Sequence, residues 1–461
     1  MLRSAPAPTL ARGRRILVRP RRCVSSQPPG PCGDGFPRTA AVMGGGAAGM
    51  AAETRRLAGL ILSGGAGGEE EGPAEMERRR LALSRAITLT ESRAERHARQ
   101  AELLLGHLLL QGGDTDAGTG CVGGCVGSDS DSGGGIAGPR TFRVGIAGPP
   151  GAGKSTFIEA LGLHILEARG GDECSPDGAG SIGAPPSPAP FVPSKVAVIA
   201  IDPSSSVTGG SVLGDKTRMT ELSRHPRAFV RPSPTRGTLG GLATYTSDVT
   251  ALCEAAGYDL VLVETVGLGQ SEIEVCEGVD LLLLLLPPGG GDGLQGAKKG
   301  IVEMADLLAV NKADGPLLQA ARQTAADYDS ALGLMGLLRG GSSCGGSGGG
   351  GWDIPPVLLA SAATGDGIGE IWSEMLCFRD LAVQSGGLAD KRRGQGRYWM
   401  FRHMRDLVLE RVRQNPALRR RAEAMEAELD LGRVTPRVAA AELVESLAGS
   451  GLDRGGRDGT T

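Results

Sequence analysis

The chain of 461 residues is long enough for two or three domains, and its 40% apolar content is sufficient for a substantial core. A formal net charge of −3 gives no bulk electrostatic basis for a nucleic-acid or membrane partner. Nine scattered Cys, an odd number without a spacing framework, argue against a secreted disulfide scaffold and favour a reducing compartment, and the longest apolar run, LLLLLL at 281–286, reads as a buried strand rather than a membrane span.

The first 50 residues are different in kind from the rest. Arg3, Arg12, Arg14, Arg15, Arg19, Arg21, Arg22 and Arg38 face a single acid, Asp34, with no continuous apolar segment, which is the composition of an organelle transit peptide and places the expected destination in the mitochondrial matrix. Residues 51–111 read as an N-terminal helical segment, with helices over 54–62 and 75–110; Leu81, Leu83, Ile87 and Leu89 recur among Arg and Glu in the second. Residues 112–139 are a Gly-rich linker, and two further Gly-rich insertions fall at 170–193 and 340–351, all three expected to be poorly ordered.

Between these tracts, residues 140–382 alternate strand and helix. Strands are predicted at 142–147, 195–201, 228–231, 259–264, 279–286, 306–310 and 356–361, and helices at 154–168, 247–256, 298–304 and 317–338. Near-continuous Val, Ile and Leu in strands that alternate with helices predict an α/β fold, a doubly wound and mostly parallel sheet covered on both faces. Residues 383–461 read as a separate Arg- and Glu-rich helical arm, helical over 398–447, suited to packing on another chain and ending in a disordered tail.

The sequence GPPGAGKS, from Gly148 through Pro149, Pro150, Gly151, Ala152, Gly153 and Lys154 to Ser155, fits G-x-x-x-x-G-K-[ST] at every position. It follows the strand FRVGIAG and opens, through Thr156, the helix STFIEALGLHIL, the context that defines a phosphate-binding loop. Glycines let the backbone amides turn onto phosphates, Lys154 reaches the β and γ oxygens, and Ser155 offers a hydroxyl to Mg²⁺. Further on, the strand DLLAV runs into Asn311, Lys312, Ala313 and Asp314. A carboxylate at the end of this N-K-x-D string accepts two hydrogen bonds from the N1 and N2 edge of guanine, a donor pair that adenine lacks, so GTP is expected over ATP. The next strand ends in Ser361, Ala362 and Ala363, which resemble the backbone-amide loop over the guanine oxygen.

Glu264 ends the strand of LVLVETVG with Gly267 three residues on, resembling D-x-x-G with Glu in place of Asp; on a sheet whose ligands gather at the carboxyl ends of strands, Glu264 and Asp202 are metal candidates. Asp215, beside Lys216 and Arg218, lies in a loop able to close on the γ-phosphate. Leu268 rather than Gln follows Gly267, and Gln270 comes two residues later, so slow intrinsic hydrolysis stimulated by a partner is expected.

The strings AIDPSSSVTGGSVLGDKTRM, RPSPTRGTLGGLA, LVLVETVGLGQSE and LQGAKKGIVEMADLLAVNKADG resemble the G-protein chaperones of adenosylcobalamin-dependent methylmalonyl-CoA mutase, the family of the methylmalonic aciduria type A, MeaB and ArgK proteins. The likeness runs from RRLALSRAITLTES near Arg79 to the arm RGQGRYWMFRHMRDLVLERV and the TP-x-x-AA ending near Thr435. It implies a homodimer joined through helical arms that binds GTP or GDP with Mg²⁺ and gates transfer of adenosylcobalamin into methylmalonyl-CoA mutase, with a cobalamin adenosyltransferase as a further partner. By the same resemblance Lys154, Ser155, Asp202, Asp215 and Glu264 match phosphate and metal positions, Asn311, Lys312 and Asp314 read the base, and Gln270, Asp292 and Lys298 fall in switch segments. Gly293 stands where the family commonly has Glu in G-D-E-L-Q, which removes a carboxylate from a switch loop. No D-x-H-x-x-G string is present, so cobalamin is expected to be handled through the mutase.

Three other readings compete. A nickel-inserting maturation GTPase needs soft or imidazole ligands, and the five His are not clustered. A P-loop kinase or transport-associated ATPase, the older ArgK description, needs an acceptor pocket and no guanine preference. A dimerising protein that binds nucleotide without turnover is distinguished by phosphate release.

Overall fold

The structure, a computed structural model, describes residues 49–63, 72–92, 94–112, 139–171, 191–202, 219–234, 241–265, 275–289, 299–339 and 355–452. Residues 1–48 of the expected leader and most of the three Gly-rich insertions lie outside the described residues, whereas Met50, at its end, is buried against the N-terminal helices. The chain divides into two compact units, Met1–Gln395 and Gly396–Thr461.

In the first unit three helices, α1 (Ala52–Leu62), α2 (Pro73–Glu91) and α3 (Glu95–Gly112), precede the sheet. Then come β1 (Phe142–Ala147), α4 (Lys154–Gly171), β2 (Val196–Asp202), α5 (Thr220–Arg224), β3 (Ala228–Pro234), α6 (Gly241–Ala255) and β4 (Leu260–Glu264). β5 (Leu281–Leu286), α7 (Lys299–Met304), β6 (Leu307–Val310), α8 (Leu318–Arg339), β7 (Val357–Leu359), α9 (Ile368–Gln384) and the start of α10 (Gly387–Gln414) follow. All seven strands are parallel, in the order β3-β2-β4-β1-β5-β6-β7.

Every residue of β1, β4, β5 and β6 is buried, as strands covered on both faces require. Alternation sends Leu260 and Leu262 to one core with Phe157, Leu161, Ile371 and Phe378 of α4 and α9. It sends Val261 and Val263 to another, with Leu83, Ile87 and Leu104 of α2 and α3 and Val249 and Leu252 of α6. The N-terminal helices therefore form one layer of the catalytic core. The same parity directs Glu264 to the face of α4, the helix that opens at the phosphate loop.

The predicted helix over 75–110 is two helices. Ser92 between them is extended (φ −77°, ψ 135°), and its hydroxyl engages His97 Nδ1 at 2.8 Å, offering the chain a local alternative to the helical bond. Leu83 and Ile87 are buried, whereas Leu81 is exposed. The helix predicted at 247–256 begins six residues earlier, at Gly241.

At the amino ends of the strands a buried ionic network ties four elements together. Arg143 of β1 donates from its side chain to both oxygens of Glu254 on α6, at 2.6 and 2.8 Å, and its backbone N–H donates to Asp280 Oδ2. Arg392 of α10 donates from Nε and Nη2 to the two oxygens of Asp280, at 2.8 and 2.5 Å, and from Nη2 to the carbonyl of Thr141. Lys391 donates to the Asp280 carbonyl at 2.7 Å, and Gln395 to the carbonyls of Val279 and Cys276. Burial alone would push Asp280 up; the Arg392 guanidinium and its hydrogen bonds, with Arg143, hold it below the usual carboxylate value.

In the second unit, α10 continues to Gln414 and is followed by α11 (Pro416–Asp430) and α12 (Pro436–Leu452). The predicted arm over 398–447 is thus interrupted twice, each time at a proline. Asn415 caps α11, its side chain accepting from Ala417 N and Leu418 N, with Pro416 at the first helical position. No helix among the described residues is long and apolar enough to cross a membrane.

Replacing Arg392 by Met leaves fully buried Asp280 with one guanidinium fewer and is expected to cost about 3 kcal/mol, read by denaturant unfolding. Because the folded carboxylate titrates below its unfolded value, its stabilisation is present above about pH 4 and lost as pH falls through the folded value. In the variant the acid-unfolding midpoint moves upward in pH.

Candidate nucleotide-binding site

The loop after β1 is shaped by contacts with neighbouring strands. Gly148 has φ +154°, and a Cβ there would lie 2.1 Å from the Leu285 carbonyl of β5. Gly153 has φ +86°, and its Cβ would meet Asn311 Nδ2 at 2.6 Å. Both positions demand glycine for space as well as conformation. Ala152 is buried between them, while Pro150, Gly151 and Thr156 are exposed and Pro149 is half-buried. Lys154 donates from Nζ to the carbonyls of Gly148 and Pro149, at 2.8 and 3.3 Å, so its ammonium is folded across the loop it closes.

Ser155, in the first turn of α4, donates from Oγ to Glu264 Oε1 at 2.8 Å, and both residues are buried. These are hard oxygen donors at a helix start and a strand tip, a set that suits Mg²⁺. Asp202 ends β2, and since Ala200 pairs with Glu264, its backbone lies at the same carboxyl edge one strand away. Its side chain lies outside the description, as do Asp215, Lys216, Arg218, Gly267, Gln270, Asp292 and Lys298.

The candidate base site is assembled by Asn311. Its side chain, 1% exposed, donates from Nδ2 to the Ala152 carbonyl at 2.9 Å and accepts at Oδ1 from the Ala362 N–H at 3.0 Å. Lys312 has φ +59°, the one positive value among described residues other than glycine, a cost tolerated only where surroundings fix the backbone. Asp314 is half-buried and accepts a short hydrogen bond from Ser361 Oγ. Ala313 N donates to Ala360 O at 2.9 Å, fastening the loop after β6 to the one after β7. Ala362 is half-buried and Ala363 exposed.

Two residues not singled out from sequence support this loop. Ser361 N donates to the Asp366 carbonyl, and Thr364 Oγ1 donates to Asp366 Oδ2 at 2.7 Å. The T-x-D-G string at 364–367 carries the turn signal that would have found them.

A parallel sheet with a Gly-rich loop and Lys-Ser at a helix start, and an N-K-x-D loop fastened to it, defines the P-loop GTPase class. Residues 192–417 match the family model described as methylmalonyl-CoA mutase-associated GTPase MeaB. The chain is 41% identical over 367 residues to the mitochondrial methylmalonic aciduria type A homolog of Mus musculus, covering 80% of this chain and 76% of that protein. It is 40% identical over 370 residues to a probable GTPase of Mycobacterium tuberculosis, covering 79% and 91% of the two chains. A crystal structure of a LAO/AO transport system kinase superposes with a TM-score of 0.52 at 30% identity, covering 83% of this chain and all of that one. The chain belongs to the MeaB family of methylmalonyl-CoA mutase-associated GTPases. Membership implies binding of guanine nucleotide and Mg²⁺.

Substituting Gly153 by Ala drives a methyl group into the Asn311 amide and strains the backbone. GDP affinity, measured by titration calorimetry, is expected to fall at least about tenfold, the equivalent of one lost buried hydrogen bond, and the thermal midpoint falls with it because the strain and the lost bond act on the folded protein itself.

Proposed function

We propose that the chain is a GTP-hydrolysing gate for adenosylcobalamin loading and protection of methylmalonyl-CoA mutase, acting as a homodimer in the mitochondrial matrix. The observation that carries the nucleotide half of this reading is the Asn311 brace, which ties the phosphate loop to the loop bearing Ser361 and Ala362. The mutase half rests on the family description and on the mouse relative, which is named mitochondrial.

In this reading the triphosphate lies along the amides of 148–155, with Lys154 turning from the loop carbonyls to the β and γ oxygens. Ser155 and Glu264, with Asp202 and Asp215, hold Mg²⁺, which when bound neutralises charge on the β and γ oxygens. Asp314 accepts from the guanine edge, oriented by Ser361. Lys216, Arg218, Gly267, Gln270, Asp292 and Lys298 belong to segments that report the γ-phosphate, and turnover is slow until a partner orders them. Cobalamin is reached only through the mutase and, in its supply, a cobalamin adenosyltransferase.

The homodimer is supported by the arm. Met400, Phe401, Met404 and Leu407 of α10 are each more than half exposed at i, i+1, i+4 and i+7, an apolar stripe of the sort that seats a second helix. The basic segment of residues 1–50 acts as the targeting leader up to the start of the folded unit, where Met50 is buried, and 383–461 acts as the dimerisation arm.

Two experiments test the proposal. Asp314→Asn replaces an acceptor by a group that also donates, matching the 2-carbonyl of xanthine; a preference shift from GTP toward XTP of roughly 100-fold is expected. Unchanged preference, or ATP turnover in the parent protein, would favour the transport-kinase reading. Capture of methylmalonyl-CoA mutase is expected to differ between GDP and a non-hydrolysable GTP analogue, as is cofactor transfer. Equal capture and equal transfer in both states would defeat the gating role.

A further inference from the structure

One face of α4 carries residues spaced at close to whole turns. Ser155, Glu159, Gly162 and Leu166 fall within about 60° of one another around the helix axis, and the last three lie roughly 6, 10 and 16 Å along it from Ser155. Ser155 is the residue whose hydroxyl meets Glu264. Each of the other three meets the stretch from Met219 to Arg227. Glu159 Oε1 accepts from the Glu221 N–H at 2.9 Å. A Cβ at Gly162 would lie 2.7 Å from Leu222 Cδ2, so the missing side chain is what admits Leu222 to the helix surface. The Leu166 carbonyl accepts from Arg227 Nη2.

These contacts advance together along both segments, 159 with 221, 162 with 222 and 166 with 227. Followed backward from Arg227, the chain therefore runs along α4 toward Ser155. It ends at Met219, which is fully buried in the core that also holds Phe157, Ile158 and Leu161 of α4. Directly before Met219 in sequence stand Asp215, Lys216 and Arg218. Four residues of chain span at most about 14 Å, so the place where Met219 is held decides how far Asp215 can reach. A slip by one helical turn, about 5.4 Å, changes that reach by more than a third.

The apolar contacts of Met219 and Leu222 favour burial without fixing direction. The hydrogen bond from Glu221 is directional, and it comes from the first turn of α5, where an N–H has no partner inside the helix. We infer that Glu159 is a positioning residue for GTP hydrolysis: it sets the register in which the segment bearing Asp215, Lys216 and Arg218 rejoins α4, one turn from Ser155. The inference rests on the assignment of that segment to Mg²⁺ and the γ-phosphate under the proposed function.

The test measures steady-state GTP turnover of the full chain across Mg²⁺ concentrations. In Glu159→Ala, kcat is expected to fall at least about tenfold and the Mg²⁺ concentration for half-maximal turnover to rise. GDP affinity without Mg²⁺ stays unchanged, because the phosphate loop and the base loop keep their contacts. Glu159→Gln retains an acceptor oxygen at the same reach and is expected to restore kcat to within about threefold of the parent. A residue that only holds α5 together would lower the thermal midpoint in Glu159→Ala and leave kcat and Mg²⁺ dependence as they were, and that result overturns the proposal. Asp215→Ala separates the two claims. If it changes neither turnover nor Mg²⁺ dependence, the assignment of the segment fails and the proposal falls with it; if it lowers turnover and Glu159→Ala does not, the proposal alone is overturned. Should Glu159→Ala fail to load GDP, Glu159→Asp, one methylene too short to reach the Glu221 N–H, is read in the same way.

Discussion

The carboxamide of Asn311 is the joint on which the candidate site depends. A buried amide must have both ends satisfied, and here the two ends belong to different loops: the donor holds Ala152 in the phosphate loop and the acceptor holds Ala362 in the loop after β7. Its backbone N–H donates to the Leu286 carbonyl, which fixes β6 against β5. Phosphate and base subsites are thereby set on strands spaced by about 4.8 Å per step, with β1 two steps from β6. The absence of a Cβ at Gly153 follows from this joint, since the space is occupied by the Asn311 amide.

The two edges of the sheet do different work. At the carboxyl edge the chain leaves β2, β4 and β5 into 203–218, 266–274 and 290–298, the segments that carry the proposed switch residues. At the amino edge Asp280, Arg143, Glu254 and Arg392 form a network in which each charge has a near partner, and α10 is fastened to it. The Gly-rich tracts at 112–139, 170–193 and 340–351 precede β1, β2 and β7 in chain order.

Period and composition made the strands and the phosphate loop legible from sequence, because a fully buried parallel strand has few alternatives to a run of Val, Ile and Leu. The break at Ser92 was not legible: hydroxyl competition depends on the position of His97, and the Arg and Glu pattern continues across it. The N-terminal helices read as a preface because their charged faces dominate the sequence; which sheet face their Leu and Ile cover is a tertiary fact. In the site, N-K-x-D pointed to the base but not to the brace, since nothing local tells Asn311 that Ala152, 159 residues away, supplies an acceptor. The amino-edge network was invisible for the same reason, its members drawn from β1, α6, α10 and the start of β5.

Glu in place of Asp at 264 has a geometric consequence. The strand tip is fixed by pairing with β1 and β2, so side-chain length alone decides how far the carboxylate reaches. One further methylene, about 1.5 Å, brings Oε1 within 2.8 Å of the Ser155 hydroxyl. A shorter side chain on the same backbone would leave room for water between carboxylate and hydroxyl. The two proposed metal-binding groups are therefore already in contact, and cation binding must replace their mutual hydrogen bond rather than fill a gap between them. In the proposed function, a cation held by Glu264 would be linked directly to Thr265 and the chain leaving β4, one of the connections available to a response to the γ-phosphate.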